Sequence, residues 1–198
     1  RLTPFARAEF EMSYLSDEDP IEQARRTVAR SFMGFGSSSL FKKVTGFRAN
    51  SNRRGTTPAH DWAHYPDVLP AMVERLRGVV IENRPALEVI QAHDGPKTLH
   101  YVDPPYVAQT RSYLRQAKYA YRFEMSDDQH RELAEVLHSV RGMVVISGYP
   151  CELYDELYSD WQCVTRTALA DGARERTECL WVSPAAQAGQ SQRHLFPV

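Results

Sequence analysis

The stretch Leu99-His100-Tyr101-Val102-Asp103-Pro104-Pro105-Tyr106 decides the reading of this chain. Leu99, Tyr101 and Val102 favour a strand, and two consecutive prolines cannot continue a central one. The run therefore predicts a buried strand that stops in a rigid turn, with a carboxylate and an aromatic ring at its mouth. In an open α/β sheet the C-terminal ends of strands are where ligands bind. The chemistry that suits this mouth is work on an exocyclic amine of a flat heteroaromatic base. The lone pair of such an amine is delocalised into the ring and attacks poorly. Asp103 can accept one N–H, and the carbonyl of Pro104 can accept the other, because proline keeps its acceptor. Two acceptors off the ring plane favour a pyramidal nitrogen. Tyr106 offers a face for the base, a contact typically worth about 1–3 kcal/mol. A second strand-like run ends comparably at Ser147-Gly148-Tyr149-Pro150.

Asp103–Tyr106 resembles the D-P-P-Y signature of amino-group methyltransferases that use S-adenosylmethionine. The pattern around it, from about Asp19 to Pro184, resembles the Dam-like DNA adenine N6-methyltransferases. Asp at the first motif position leans toward adenine N6 over cytosine N4. The resemblance implies an α/β fold: the C-terminal portion of a Rossmann-like class I methyltransferase sheet, with a helical and loop insertion for DNA recognition. It implies methyl transfer from S-adenosylmethionine to a flipped adenine in double-stranded DNA, as in restriction-modification systems. Asp103, Pro104, Pro105 and Tyr106 match the catalytic motif. Asn83 and Arg84 match the strand end that contacts the cofactor's adenine in that family, beside Asp103.

The family's lysine-bearing segment, its glycine loop after a strand and its acidic ribose contact have no counterpart in these 198 residues. Phe32-Met33-Gly34-Phe35-Gly36 has the letters F-x-G-x-G, but it leaves a predicted helix rather than a strand. It reads as a glycine helix terminus and not as a cofactor loop. The expectation is a portion of a longer enzyme that by itself binds S-adenosylmethionine weakly. The competing readings are a non-catalytic DNA-binding remnant, or the same chemistry on RNA or on cytosine N4.

A formal net charge of −1 hides a segregated distribution. Gln23–His60 contains no acid and carries Arg25, Arg26, Arg30, Lys42, Lys43, Arg48, Arg53 and Arg54. Val107–Arg122 is also acid-free, with Arg111, Arg115, Lys118 and Arg122 interleaved with tyrosines. Basic segments beside an amine-handling motif fit a polyanion partner. Arg48, Arg53, Arg54, Arg111, Arg115 and Lys118 are the candidate DNA contacts. Three cysteines without zinc spacing suit a reducing cytoplasm, and no apolar run is long enough to span a membrane.

The expected organisation is a helical and basic-loop region over 1–78, a partial catalytic core over 79–184 and a loosely ordered tail over 185–198. Asp19-Pro20 starts a helix with Ala24, Val28 and Phe32 on one face. A second helix begins at Asp67, with the stripe Leu69, Met72, Val73 and Leu76, and ends at Gly78. Val79–Ile81 reads as a buried parallel strand. A short helix spans Ala86–Ala92. Ser126 opens a capping box, and Leu133, Val136, Leu137 and Val140 face inward on the helix that follows. Met143–Ile146 is a strand, Cys151–Tyr158 a short helix, and Gln162–Ala168 and Thr177–Val182 a terminal strand pair. His60 and His64 are four apart, but Asp61-Trp62 and the nearby prolines argue against a helix that would align them.

Overall fold

A computed structural model describes residues 3–35, 45–49, 57–110, 123–170 and 174–193. The chain divides into two compact units, Arg1–Ile81 and Glu82–Val198.

The first unit contains helices α1 (Arg7–Met12), α2 (Pro20–Met33) and α3 (Pro58–Leu76). Asp19 caps α2 by accepting the Ile21 N–H at 2.9 Å, with Pro20 at the first helical position. Such a cap contributes about 1 kcal/mol. Ala29 and Met33 are the fully buried residues of α2; with Phe10 they form a small core flanked by Phe5, Tyr14, Phe47 and Trp62. Val28, by contrast, lines an apolar groove of about 1040 Å³ together with Trp62, Tyr65 and Leu69. Gly34 ends α2 in extended backbone and bridges to Phe47, so the F-x-G-x-G letters do mark a helix end.

Arg25 and Arg26, from the first acid-free stretch, are neutralised inside this unit. Arg25 pairs with Glu9 at 2.8 Å and Glu22 at 2.6 Å, and Arg26 with Asp17 at 2.7 Å and Glu22 at 2.8 Å. The two guanidiniums hold the Glu22 carboxyl down at about 2.

Helix α3 corrects two expectations. It starts at Pro58 behind the N-cap Thr57, nine residues before Asp67, and runs through Pro66 and Pro70. His60 and His64 are therefore aligned on it, with ring centroids 4.3 Å apart and His64 Nδ1 2.8 Å from the His60 carbonyl. A proline removes one backbone bond and crowds the preceding turn. Here a cap and a first-position proline at the helix start, with aromatic packing of Trp62 and Tyr65 on Phe32, hold the helix through both. The apolar stripe Leu69, Met72, Val73 and Leu76 is exposed rather than inward.

Val79–Ile81 is not a strand. Among the described residues it pairs with none, and Val80 and Ile81 are 79% and 83% exposed. A β-branched run satisfies its backbone as a strand only where a ladder partner lies alongside.

The second unit contains α4 (Ala86–Ala92), β1 (Leu99–Val102), α5 (Asp127–Ser139), β2 (Met143–Gly148), α6 (Glu152–Leu157), β3 (Gln162–Ala170), β4 (Arg174–Val182) and α7 (Pro184–Arg193). The described strands form one open sheet in the order β1-β2-β4-β3. β1 and β2 are parallel, with Tyr101 opposite Val145; β4 inserts antiparallel between β2 and β3. The parallel pair is joined through α5, which opens with the complete capping box of Ser126 and Gln129. Leu133, Ala134 and Leu137 of α5 pack with Val144 and Ile146 of β2 and with Tyr154, Tyr158, Trp161 and Trp181.

β1 is not buried on both faces as expected. His100 is buried, but Leu99 and Tyr101 are 58% and 62% exposed, because β1 is the outermost of the described strands and one of its faces is uncovered. The expected loose tail over 185–198 is corrected as far as Arg193, and residues 194–198 lie outside the described residues. Ser183-Pro184 starts α7, Ser183 Oγ accepts the N–H groups of Val144 at 2.9 Å and Ala186 at 3.3 Å, and Ala186 is buried. A serine cap followed by proline is a helix start.

Candidate functional site

The site is built on the C-terminal ends of β1 and β2. Pro104 and Val107 are buried and anchor the turn after β1. Between these anchors Asp103 is exposed and Tyr106 half-buried. The parallel register carries β2 two residues past β1, which sets Ser147 beside the start of the turn. The Ser147 hydroxyl is 2.7 Å from Asp103 Oδ1 and donates to it; the Val102 carbonyl is 3.3 Å away. A hydroxyl-to-carboxylate bond of that length is charge-assisted and fixes the rotamer of the carboxylate. Among the described residues nothing donates to Asp103 Oδ2 or to the Pro104 carbonyl.

Tyr106 is a neutral phenol. Burial first, and the Asp103 charge second, push its hydroxyl up to about 12. Its ring meets Tyr149 edge-to-face, with centroids 4.7 Å apart and planes at 80°. Gly148 is required at the end of β2. A Cβ there would lie 3.0 Å from Tyr154 Cε2 and 3.3 Å from Trp181 Cζ3. Tyr154 is fully buried, stacks edge-on against Trp181 at 5.0 Å and bonds His130 Nδ1 through its hydroxyl at 3.1 Å. The floor beneath the mouth is therefore a buried aromatic wall.

Of the residues singled out from sequence, Asp103, Pro104, Pro105 and Tyr106 lie together at this mouth. Asn83 and Arg84 lie in the exposed segment before α4, where Arg84 pairs with Glu88 at 3.2 Å and Glu82 at 3.9 Å. No hydrogen bond or ion pair joins them to Asp103 among the described residues. Arg48 donates to the Phe32 carbonyl at 3.2 Å. Arg53, Arg54, Arg111, Arg115 and Lys118 lie outside the described residues. Ser147 as the partner of Asp103 was not singled out from sequence. Its signal is the strand-end Ser147-Gly148-Tyr149 on the next parallel strand, which becomes meaningful only once the register is known.

Residues 12–171 match the family model of the D12 class N6 adenine-specific DNA methyltransferases. The match covers well over half of the chain, and the chain belongs to that family. A comparison with curated proteins finds no match. The family implies S-adenosylmethionine, and the described residues show no closed cradle for it. Arg84 is engaged by two carboxylates, Asn83 is open to solvent, and the glycine of Phe32–Gly34 closes a helix. No group of three or more His, Cys, Asp or Glu among them could hold a metal ion. No helix among them is long and apolar enough to cross a membrane.

Proposed function

We propose that the mouth of β1 and β2 holds an adenine extruded from double-stranded DNA and prepares its N6 for methylation, with S-adenosylmethionine as the donor that the family implies. The observation that carries this reading is the Asp103 carboxylate, held through one oxygen by Ser147 and exposed at the strand end beside the Tyr106 ring. The base lies against Tyr106. One N6 hydrogen is donated to the second oxygen of Asp103 and the other to the Pro104 carbonyl, so the nitrogen lone pair leaves conjugation. Once N6 carries a methyl group it is cationic and sheds a proton readily, so Asp103 need not be a strong base. A base within a duplex cannot reach a pocket at a strand end, and extruding it costs a few kcal/mol. The acid-free stretches, with Arg48, Arg53, Arg54, Arg111, Arg115 and Lys118, are the proposed source of the offsetting phosphate contacts. Asn83, Arg84 and Asp103 remain the proposed cofactor side. Site-specific DNA methylation in the cytoplasm, as in restriction-modification, is the setting that this chemistry fits.

The test is product analysis of DNA treated with the protein expressed from its own reading frame. N6-methyladenine is expected, and Asp103→Asn should remove it. N4-methylcytosine as the product, or methylation of RNA alone, would overturn the substrate. Near-wild-type single-turnover methylation by Asp103→Asn would overturn the role of Asp103.

A further inference from the structure

We propose that Tyr149 and Arg176 form a second wall of this site, and that Arg176 takes the phosphodiester beside the extruded nucleotide. The proposal rests on the reading of Asp103 and Tyr106 as the base site. Tyr149 is the first residue past β2, half-buried, with its ring in edge-to-face contact with that of Tyr106. The Arg176 guanidinium lies 5.2 Å from the Tyr149 ring centroid. β4 runs antiparallel to β2, with Cys179 opposite Gly148, so Arg176 lies on the part of β4 that continues past the end of β2. Two residues distant in sequence thereby complete one row: Tyr106, Tyr149, Arg176.

The row has a defined chemistry. A guanidinium over an aromatic face is held in orientation while its N–H groups stay available in the plane of the group. That fork matches two oxygens of a phosphate. When a base lies on Tyr106, its sugar and phosphate must remain at the mouth, where Tyr149 and Arg176 are. Glu178 opposes an anion here, since its charge is felt at Tyr106. It stands opposite Arg166 across the hairpin, which offsets it. Arg176 is then the cation that makes the mouth hospitable to a phosphate.

The experiment is a salt titration of binding to two short labelled duplexes, one with a single bulged, already extrahelical adenine and one fully paired. Arg176→Ala should flatten the plot of log affinity against log salt by about 0.9 on the bulged duplex. Its affinity deficit should therefore shrink about threefold between about 50 and about 200 mM salt. The deficit should be smaller on the paired duplex. Arg176→Lys, which keeps the charge, should retain the slope. Matched thermal melting of both variants establishes that the hairpin is intact. An unchanged slope for Arg176→Ala, equal losses on the two duplexes, or a Lys variant as flat as the Ala variant would each overturn the proposal. Failure of the wild type to methylate adenine would instead remove the reaction assigned to Asp103, and the slopes would still decide Arg176.

Discussion

Two carboxylates stand at opposite ends of the same pair of parallel strands. At the start of β1 and β2, Asp94 accepts the backbone N–H groups of Arg141 at 3.0 Å and Gly142 at 2.9 Å, and His100 Nε2 lies 3.6 Å from it. At their far end Asp103 has the Ser147 hydroxyl at 2.7 Å as its partner among the described residues. Asp94 is saturated by donors that belong to the fold. The backbone bonds from Arg141, then Gly142, hold its carboxyl below the ordinary carboxylate range. Asp103 is oriented but leaves an oxygen to solvent. A carboxylate held on both oxygens by backbone N–H groups ties a structure together, and one held by a single side chain retains capacity for a ligand. The proposed chemistry lies at the second end.

The sharpest way to break this contrast is to neutralise each carboxylate in turn. Asp103→Asn should lower the single-turnover rate by roughly 10²–10³-fold, the scale of losing one transition-state contact, with an unchanged melting temperature. Asp94→Asn should do the reverse, because one amide hydrogen would face backbone donors. Its urea midpoint should fall while the rate per folded molecule is kept. Loss of activity in Asp94→Asn without loss of stability would erase the distinction.

The two glycines at these ends make the second comparison. A Cβ on Gly142 would lie 2.8 Å from the Thr98 carbonyl oxygen, which also accepts the Met143 N–H at 2.8 Å. Gly142→Ala should therefore cost about 1–3 kcal/mol in chemical denaturation, the range for overpacking. Gly148→Ala presses on the Tyr154 and Trp181 rings, which can shift by tenths of an ångström. It should destabilise less but slow methylation more, because Ser147 and Tyr149 flank it. Equal effects of the two on both readouts would count against the division.

A smaller effect is expected at Ser147. Ser147→Ala should lower the single-turnover rate about tenfold, the equivalent of one hydrogen bond to a charged group, with DNA affinity unchanged. Ser147→Thr, which keeps the hydroxyl on a strand-favouring residue, should restore it. A threonine variant as slow as the alanine one would leave packing, not positioning, as the role of Ser147.

The smallest effect is in pH. Because the folded-state value of Asp94 is depressed, its contribution to stability is present above the unfolded value of about 4 and is lost as pH falls through the folded one. The acid side of the stability profile should be shallower in Asp94→Asn than in the wild type.

Most of the second unit was legible in sequence for local reasons. The Ser126–Gln129 box, the inward Leu133 and Leu137, the strand into Asp103 and the alternation of strand and helix are all written in neighbouring residues. The family could be named from four residues because two prolines and a flanking strand leave the carboxylate and ring few places to go. The failures lie where the outcome depended on partners. Val79–Ile81 had the composition of a strand but has no described ladder to join. Asp61-Trp62 and the prolines near His60 and His64 argued against a helix there, yet capping at Thr57 and ring packing around Trp62 carried α3 through Pro66. Arg25 and Arg26 counted as free positive charge until Glu9, Asp17 and Glu22, from outside the acid-free stretch, were folded onto them.

The sequence by itself determined the strand end and the turn after β1, because the carboxylate, the two prolines and the aromatic ring are contiguous and proline stiffens their spacing. Only the tertiary structure decided what surrounds them. Ser147 reaches Asp103 through the parallel register of β1 and β2, 44 residues apart in the chain. Arg176 reaches Tyr149 because β4 is inserted antiparallel beside β2. Strand order and register are set by the packing of whole faces, such as Val144 and Ile146 against α5 and Trp181. No local stretch of sequence contains that information.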